Sequence, residues 1–229
     1  MKSVLSTKKL TIAQKELLLN SGLTLVEYDA IGIELIDFKM PSNVTNAIFS
    51  SQNAVRAFLR HPKRPISELT LFCVGSKTAA TLEDNGYSVS KIAENSSNLA
   101  DFIIKNHKSD AFHYFCGNKR RDELPSALTH ENIRFKEIET YKTVLKNRRF
   151  TRTFDALLFY SPSGVESYVS ANLDPPGDKN PAGLPAAICI GPTTASAAEN
   201  YFGNVITANS TSVESVIAKT AKFLNASSS

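Results

Sequence analysis

The chain repeats itself, and the order of the repeated pieces leaves few folds open. Ile48-Phe49-Ser50-Ser51-Gln52-Asn53-Ala54-Val55 lines up with Leu158-Phe159-Tyr160-Ser161-Pro162-Ser163-Gly164-Val165, an offset of 110 from Ser51 to Ser161. Cys73-Val74-Gly75-Ser76-Lys77-Thr78-Ala79 matches Cys189-Ile190-Gly191-Pro192-Thr193-Thr194-Ala195 at 116, and Asn95-Ser96-Ser97-Asn98-Leu99 matches Asn209-Ser210-Thr211-Ser212-Val213 at 114. The drift is small, and the extra residues find a home in the turn-rich stretch 174–181, read as a surface loop. A weaker match at 110 relates residues 4–28 to 114–138. Each repeat is then a β-α-β piece, a connector and a β-α-β-α-β-α piece, which predicts two similar lobes with a cleft. Tandem folding and exchange of the pieces across the connectors both stay open at this point.

Short β-rich runs near 3–6, 24–28, 47–50, 71–74, 88–92, 111–116, 134–138, 155–160, 187–190 and 204–207 alternate with stretches of helical apolar spacing. The helical stretches fall at 12–19, 53–59, 77–85, 99–105, 121–128, 163–168, 193–201 and 213–224. Such alternation predicts an α/β fold in which parallel sheets are covered by helices.

With 229 residues, 42% of them hydrophobic, the chain can bury a full core, which excludes disorder as its main character. Lys and Arg number 26 against 22 Asp and Glu, and the resulting +4 suits a small anion but is too little to argue for nucleic acid. Cys73, Cys116 and Cys189 sit in apolar runs without metal-ligand or CxxC spacing and read as small buried hydrophobes. No window approaches the ~20 apolar residues of a membrane span, and the start of the chain lacks a signal-peptide core. The expected compartment is the cytoplasm. The small polar tail 225–229 is expected to fray.

Four polar clusters stand where a strand gives way to a helix: Ser50-Ser51-Gln52-Asn53, Gly75-Ser76-Lys77-Thr78, Ser161-Pro162-Ser163-Gly164 and Gly191-Pro192-Thr193-Thr194. The carboxyl ends of parallel strands are where open α/β sheets bind ligands, and the helix starts beside them offer unpaired N–H groups to an anion. Plain N-capping explains any one cluster. Four in two matched pairs point to a shared anion site. Cys116-Gly117-Asn118-Lys119-Arg120-Arg121 is a fifth junction with three consecutive cations, suited to carboxylates or to a solvated first turn. A second basic stretch, Lys146, Arg148, Arg149 and Arg152, fits a solvated connector better than an anion site. No GxGxxG or Walker loop is present, and His61, His107, His113 and His130 have neither metal spacing nor a nucleophile partner motif. Any catalysis must rest on hydroxyls, backbone amides and geometry.

Taken in order, the Ser50-Ser51-Gln52-Asn53 cluster, Cys73-Val74-Gly75 with Thr78-Ala79, Cys116-Gly117-Asn118-Lys119-Arg120-Arg121, Tyr141-Lys142-Thr143, Ser161-Pro162-Ser163-Gly164-Val165 and Ile190-Gly191-Pro192-Thr193-Thr194-Ala195 resemble the uroporphyrinogen-III synthase family over about residues 4–224. The first strand commonly runs into Thr-Arg in that family, and Thr7-Lys8 stands here. The resemblance implies two flavodoxin-like doubly wound parallel-sheet lobes, one of residues 1–30 and 150–229, the other of 41–138. A two-stranded connector of 31–40 and 139–149 would join them, with the cleft between. It also implies a hydro-lyase that closes hydroxymethylbilane with inversion of ring D and loss of water, without cofactor or metal. Its ligand would be a linear tetrapyrrole with carboxylate side chains, handed over transiently by hydroxymethylbilane synthase, with no nucleic-acid or membrane partner.

Eight substrate carboxylates ask for amide-rich, mildly cationic junctions. Those expected to bind are Thr7 and Lys8; Ser50, Ser51 and Asn53; Gly75 and Thr78; Gly117, Asn118 and Arg120; Ser161, Ser163 and Gly164; and Gly191, Thr193 and Thr194. The bilane closes unaided to the uninverted isomer, so the enzyme's main task is positioning. Tyr141 is the one side chain expected in the chemistry, as a phenol, ordinarily protonated below a pKa of ~10, that hydrogen-bonds the departing hydroxyl. Packing at a lobe junction is its other role. Two rival readings are a non-catalytic two-lobed binder of an anionic metabolite and a flavodoxin-like electron carrier. The latter is disfavoured by the absence of tryptophan and of a glycine-rich phosphate loop after the first strand.

Overall fold

Strands buried from end to end, such as Ser3–Ser6, Ala156–Phe159 and Ala186–Cys189, demand apolar cover on both faces of their sheet. The computed structural model, which describes residues 1–65, 69–173 and 184–226, supplies that cover with helices. In chain order the first elements are β1 (Ser3–Ser6), α1 (Ile12–Asn20), β2 (Thr24–Glu27), β3 (Ile31–Leu35), β4 (Asn46–Phe49), α2 (Gln52–Arg60) and β5 (Thr70–Val74). There follow α3 (Ser76–Glu83), β6 (Val89–Ala93), α4 (Ser96–Asn106), β7 (Ala111–Gly117), α5 (Glu123–His130) and β8 (Arg134–Leu145). The last are β9 (Ala156–Phe159), α6 (Pro162–Asn172), β10 (Ala186–Cys189), α7 (Pro192–Ala198), β11 (Val205–Thr207) and α8 (Val213–Ala226). The loop expected at 174–181 and residues 227–229 of the tail lie outside the described residues.

The chain divides into two compact units, Met1–Gly32 with Val144–Ser229, and Ile33–Thr143. In the first, a parallel sheet runs β2-β1-β9-β10-β11; in the second, the parallel strands run β8-β7-β4-β5-β6, with β3 beside β8 at the edge. The repeat places β4 on β9, β5 on β10 and β7 on β1, so the two sheets have the same spatial order assembled from differently ordered chain.

Alternate residues of each strand point to opposite faces, and each face has its own core. In unit 1, Leu5, Leu157, Phe159 and Ala187 pack with Val165 and Tyr168 of α6 and Ala195 and Ala198 of α7. Val4, Ala156, Leu158 and Ile188 pack on the other face with Leu18 of α1 and Val216, Ile217 and Leu224 of α8. Unit 2 repeats the scheme: Phe49, Cys73 and Phe115 meet α2 and α3, while Ile48, Phe72 and Tyr114 meet α4 and α5. The three cysteines are free and buried, as the sequence predicts.

Two strands differ from expectation. β3 is absent from the strands read off the residue pattern, since Gly32 and Glu34 interrupt its apolar run, and is covered only by the connector 31–40 that the resemblance implies; an edge strand needs no continuous apolar run. β8 continues for 12 residues where a strand ending near 138 is expected, so Tyr141 lies inside it as the register partner of Gly117.

Candidate functional site

The strand-to-helix junctions fall into two kinds. After β4 and β9 the caps are serines in extended conformation: Ser51 Oγ accepts from Asn53 N–H at 3.1 Å, and Ser161 Oγ from Gly164 N–H at 3.1 Å. Here the plain capping role is realised, worth about 1 kcal/mol each. After β5 and β10 the caps are Gly75 and Gly191, with no side-chain cap. Their carbonyls close the first turn, accepting from Thr78 and Ala79, and from Thr194 and Ala195. The earlier N–H groups of Ser76, Lys77 and Thr193 have no side-chain partner among the described residues, and neither do those of Gln52, Ala54 and Ser163, so both kinds of junction have donors to offer, the glycine caps adding close backbone approach.

The glycines differ in their reason for being glycine. Gly75 has φ +83°, a region open to other residues only with strain, and nothing crowds the place of its absent Cβ. Gly191 is extended and buried, with Thr211 Cγ2 3.3 Å from where a Cβ would stand. Gly164 lets the first turn of α6 close onto Thr7, whose Oγ1 donates to the Leu158 carbonyl at 2.7 Å and lies 3.4 Å from the absent Cβ. Thr7, Ser161 and Gly164 are thus brought together, whereas Lys8 and Thr193 are exposed, Ser163 is half-buried and Thr194 is buried.

In unit 2 the ring of Tyr141 fills the place of the side chain that Gly117 lacks, and its backbone carbonyl accepts from Asn118 N–H at 3.3 Å. Asn118 Oδ1 in turn accepts from Thr143 N–H at 2.8 Å. Tyr141 is 8% exposed and packs with Phe115 and Ile138. Arg120 is already committed: its guanidinium grips Glu137 through bonds of 2.6–2.8 Å and reaches Asp122 at 3.4 Å. That hydrogen bond to Glu137, opposed by burial, raises the Arg120 pKa further.

Sequence reasoning missed a matched pair of hydroxyls at the ends of the central strands. Ser50 Oγ and Tyr114 Oη are 2.6 Å apart, and Ser6 Oγ, which donates to the Lys8 carbonyl at 2.6 Å, lies 3.4 Å from Tyr160 Oη. Burial pushes Tyr114 and Tyr160 up to about 12, the serine hydrogen bonds only partly offsetting it. The repeat itself held the signal, since Ser50 aligns with Tyr160. In each sheet these pairs lie between strands whose crossovers run in opposite directions, where open α/β sheets take their ligands. Among the described residues no group of three or more His, Cys, Asp or Glu could hold a metal, and no helix is long and apolar enough to cross a membrane.

Residues 15–218 match the family model described as uroporphyrinogen-III synthase HemD. No curated protein matches. Among solved structures, the chain is similar to uroporphyrinogen-III synthetase from Helicobacter pylori (TM-score 0.72, 17% identity, 97% of this chain and 100% of that one). It is also similar to a mutant uroporphyrinogen III synthase from Thermus thermophilus (TM-score 0.65, 16% identity, 99% and 100%). At these identities the structural likeness shows the mixed α/β fold with parallel sheets.

Proposed function

The chain belongs to the uroporphyrinogen-III synthase family, and from that premise we propose how its own residues serve the reaction. It is a cyclising hydro-lyase of haem biosynthesis that converts hydroxymethylbilane, with inversion of ring D and loss of water, into uroporphyrinogen III. A non-catalytic binding role is not favoured.

Substrate carboxylates are received at the strand-end junctions, above all at the Gly-capped turns after β5 and β10, where backbone donors have no side-chain cap. Ser50, Ser51 and Asn53, with Thr7, Ser161, Ser163 and Gly164, shape the neighbouring turns. Lys8, Asn118 and Arg120 add polar and cationic contacts, with Arg120 acting only by exchanging its hold on Glu137. Tyr141, held over Gly117 at the head of a junction, donates a hydrogen bond to the departing hydroxyl. Pyrrole push expels that hydroxyl, and attack from the substituted carbon of ring D gives a spiro intermediate that fragments and recloses inverted. The protein's part is to hold ring D for that attack. An unstable linear substrate also favours direct handover by hydroxymethylbilane synthase in the same cytoplasmic compartment. In the finer fold reading, the sheets are two flavodoxin-like lobes with β3 and the end of β8 as connector, supported by their shared strand order.

The observation that carries the site reading is the recurrence of uncapped glycine turns at matching positions of two like-ordered sheets. Amide hydrogen exchange with and without uroporphyrinogen III tests it. Slowed exchange at Ser76, Lys77 and Thr193 is expected. Protection confined to other segments would contradict it.

A further inference from the structure

The basic stretch after β8 is not used by the junctions, yet it lines a hollow of about 400 Å3 within unit 1. Lys9, Lys146 and Arg148 face it together with Glu27 and Asp29. The carboxylates are engaged: Glu27 pairs with Lys15 at 2.5 Å and accepts from Leu10 N–H at 2.9 Å, and Asp29 accepts from Lys9 N–H at 3.1 Å. The side-chain cations of Lys9, Lys146 and Arg148 make no ion pair among the described residues.

Two of these cations are held in place. Lys146 N–H donates to the Ala30 carbonyl at 2.8 Å, and its aliphatic stem crosses Gly32, where a Cβ would come 2.7 Å from Cε. Arg148 lies over the Phe150 ring at 5.2 Å, and that ring packs edge-on against Tyr28. A merely solvated lysine needs no bare glycine beneath it. With Lys15, which pairs with Glu27, four cations stand against two carboxylates, an excess of positive charge suited to an acidic side chain.

We infer that this hollow is a carboxylate subsite that takes one acidic side chain of the substrate, with Lys146 and Arg148 as its binding residues. The inference rests on the tetrapyrrole reading above. Lys146→Gln and Arg148→Gln should each raise KM for hydroxymethylbilane about two- to fivefold, the size of one exposed ion pair, and leave kcat little changed. Both should flatten the rise of KM with ionic strength. Lys146→Arg should keep the wild-type KM, and Gly32→Ala, with its melting temperature measured alongside, should raise KM as Lys146→Gln does. Unchanged KM and salt dependence in both Gln variants, with wild type active, would overturn the subsite. Inactive wild type would instead overturn the tetrapyrrole reading itself.

Discussion

Tyr141 answers two demands at one position: its ring replaces the side chain Gly117 lacks, and its hydroxyl is the proposed proton donor. The two roles separate by substitution. Tyr141→Phe keeps the packing, so turnover should fall several-fold to about a hundredfold, within the range for one general acid, while the melting temperature stays nearly constant. Wild-type turnover would reduce Tyr141 to packing. Gly117→Ala places a methyl inside that ring, and calorimetry should show a loss of about 1–3 kcal/mol, as for other overpacked sites. At the other junctions, Gly191→Val must push on Thr211 and should nearly abolish activity in a folded protein. Thr193→Ala, at an exposed side chain, should weaken activity only partly, and Thr194→Ala should add a stability loss because Thr194 is buried. Equal, mild effects from all three would count against junction binding.

At the scale of elements, eight helices and ten of the eleven strands among the described residues are legible because each carries its own signal. Thr11 caps α1 in a reciprocal pair with Gln14, Pro162 and Pro192 open α6 and α7, and β9 and β10 are continuous apolar runs between polar clusters. β3 is legible only through the implied connector 31–40 and not from its residue pattern, since an edge strand with Gly32 at the point where Lys146 crosses draws its pattern from a distant segment. The residue pattern of β8 likewise ends near 138, and its continuation falls in the implied connector 139–149. The junctions were legible as clusters but not as two kinds, because a serine cap and an uncapped glycine turn differ in hydrogen bonds rather than in composition. The hydroxyl pairs Ser50–Tyr114 and Ser6–Tyr160 join residues far apart in the chain. Ser51→Ala and Ser161→Ala, each removing one cap, should cost about 1 kcal/mol in denaturant unfolding. A loss well under half of that would show the first turns of α2 and α6 to be held by packing alone.

For the whole molecule, buried acids set the alkaline limit. Burial pushes Tyr28, Tyr114 and Tyr160, and also Cys73 and Cys189, up to about 12 and Cys116 to about 11. Their folded pKa values lie above ordinary ones of 9 for thiols and 10 for phenols, so the neutral forms favour the folded state. That contribution is fully present below about pH 9 and is lost as pH rises toward 12. Denaturation midpoints followed by circular dichroism should fall across that window, and the fall should be shallower in Tyr114→Phe. The shared order of the two sheets is foreshadowed by the repeat, which leaves tandem and exchanged pieces open; the family resemblance implies the exchange, and β1 pairs with β9. The proposed scaffold steers ring closure by position, using hydroxyls, backbone amides and a few cationic side chains. Its most direct test is to chelate and dialyse the protein, supply freshly made hydroxymethylbilane, and resolve the product isomers. The account predicts uroporphyrinogen III as the dominant product, formed faster than spontaneous closure. Only the uninverted isomer at the spontaneous rate, or activity restored solely by an added metal, would contradict it.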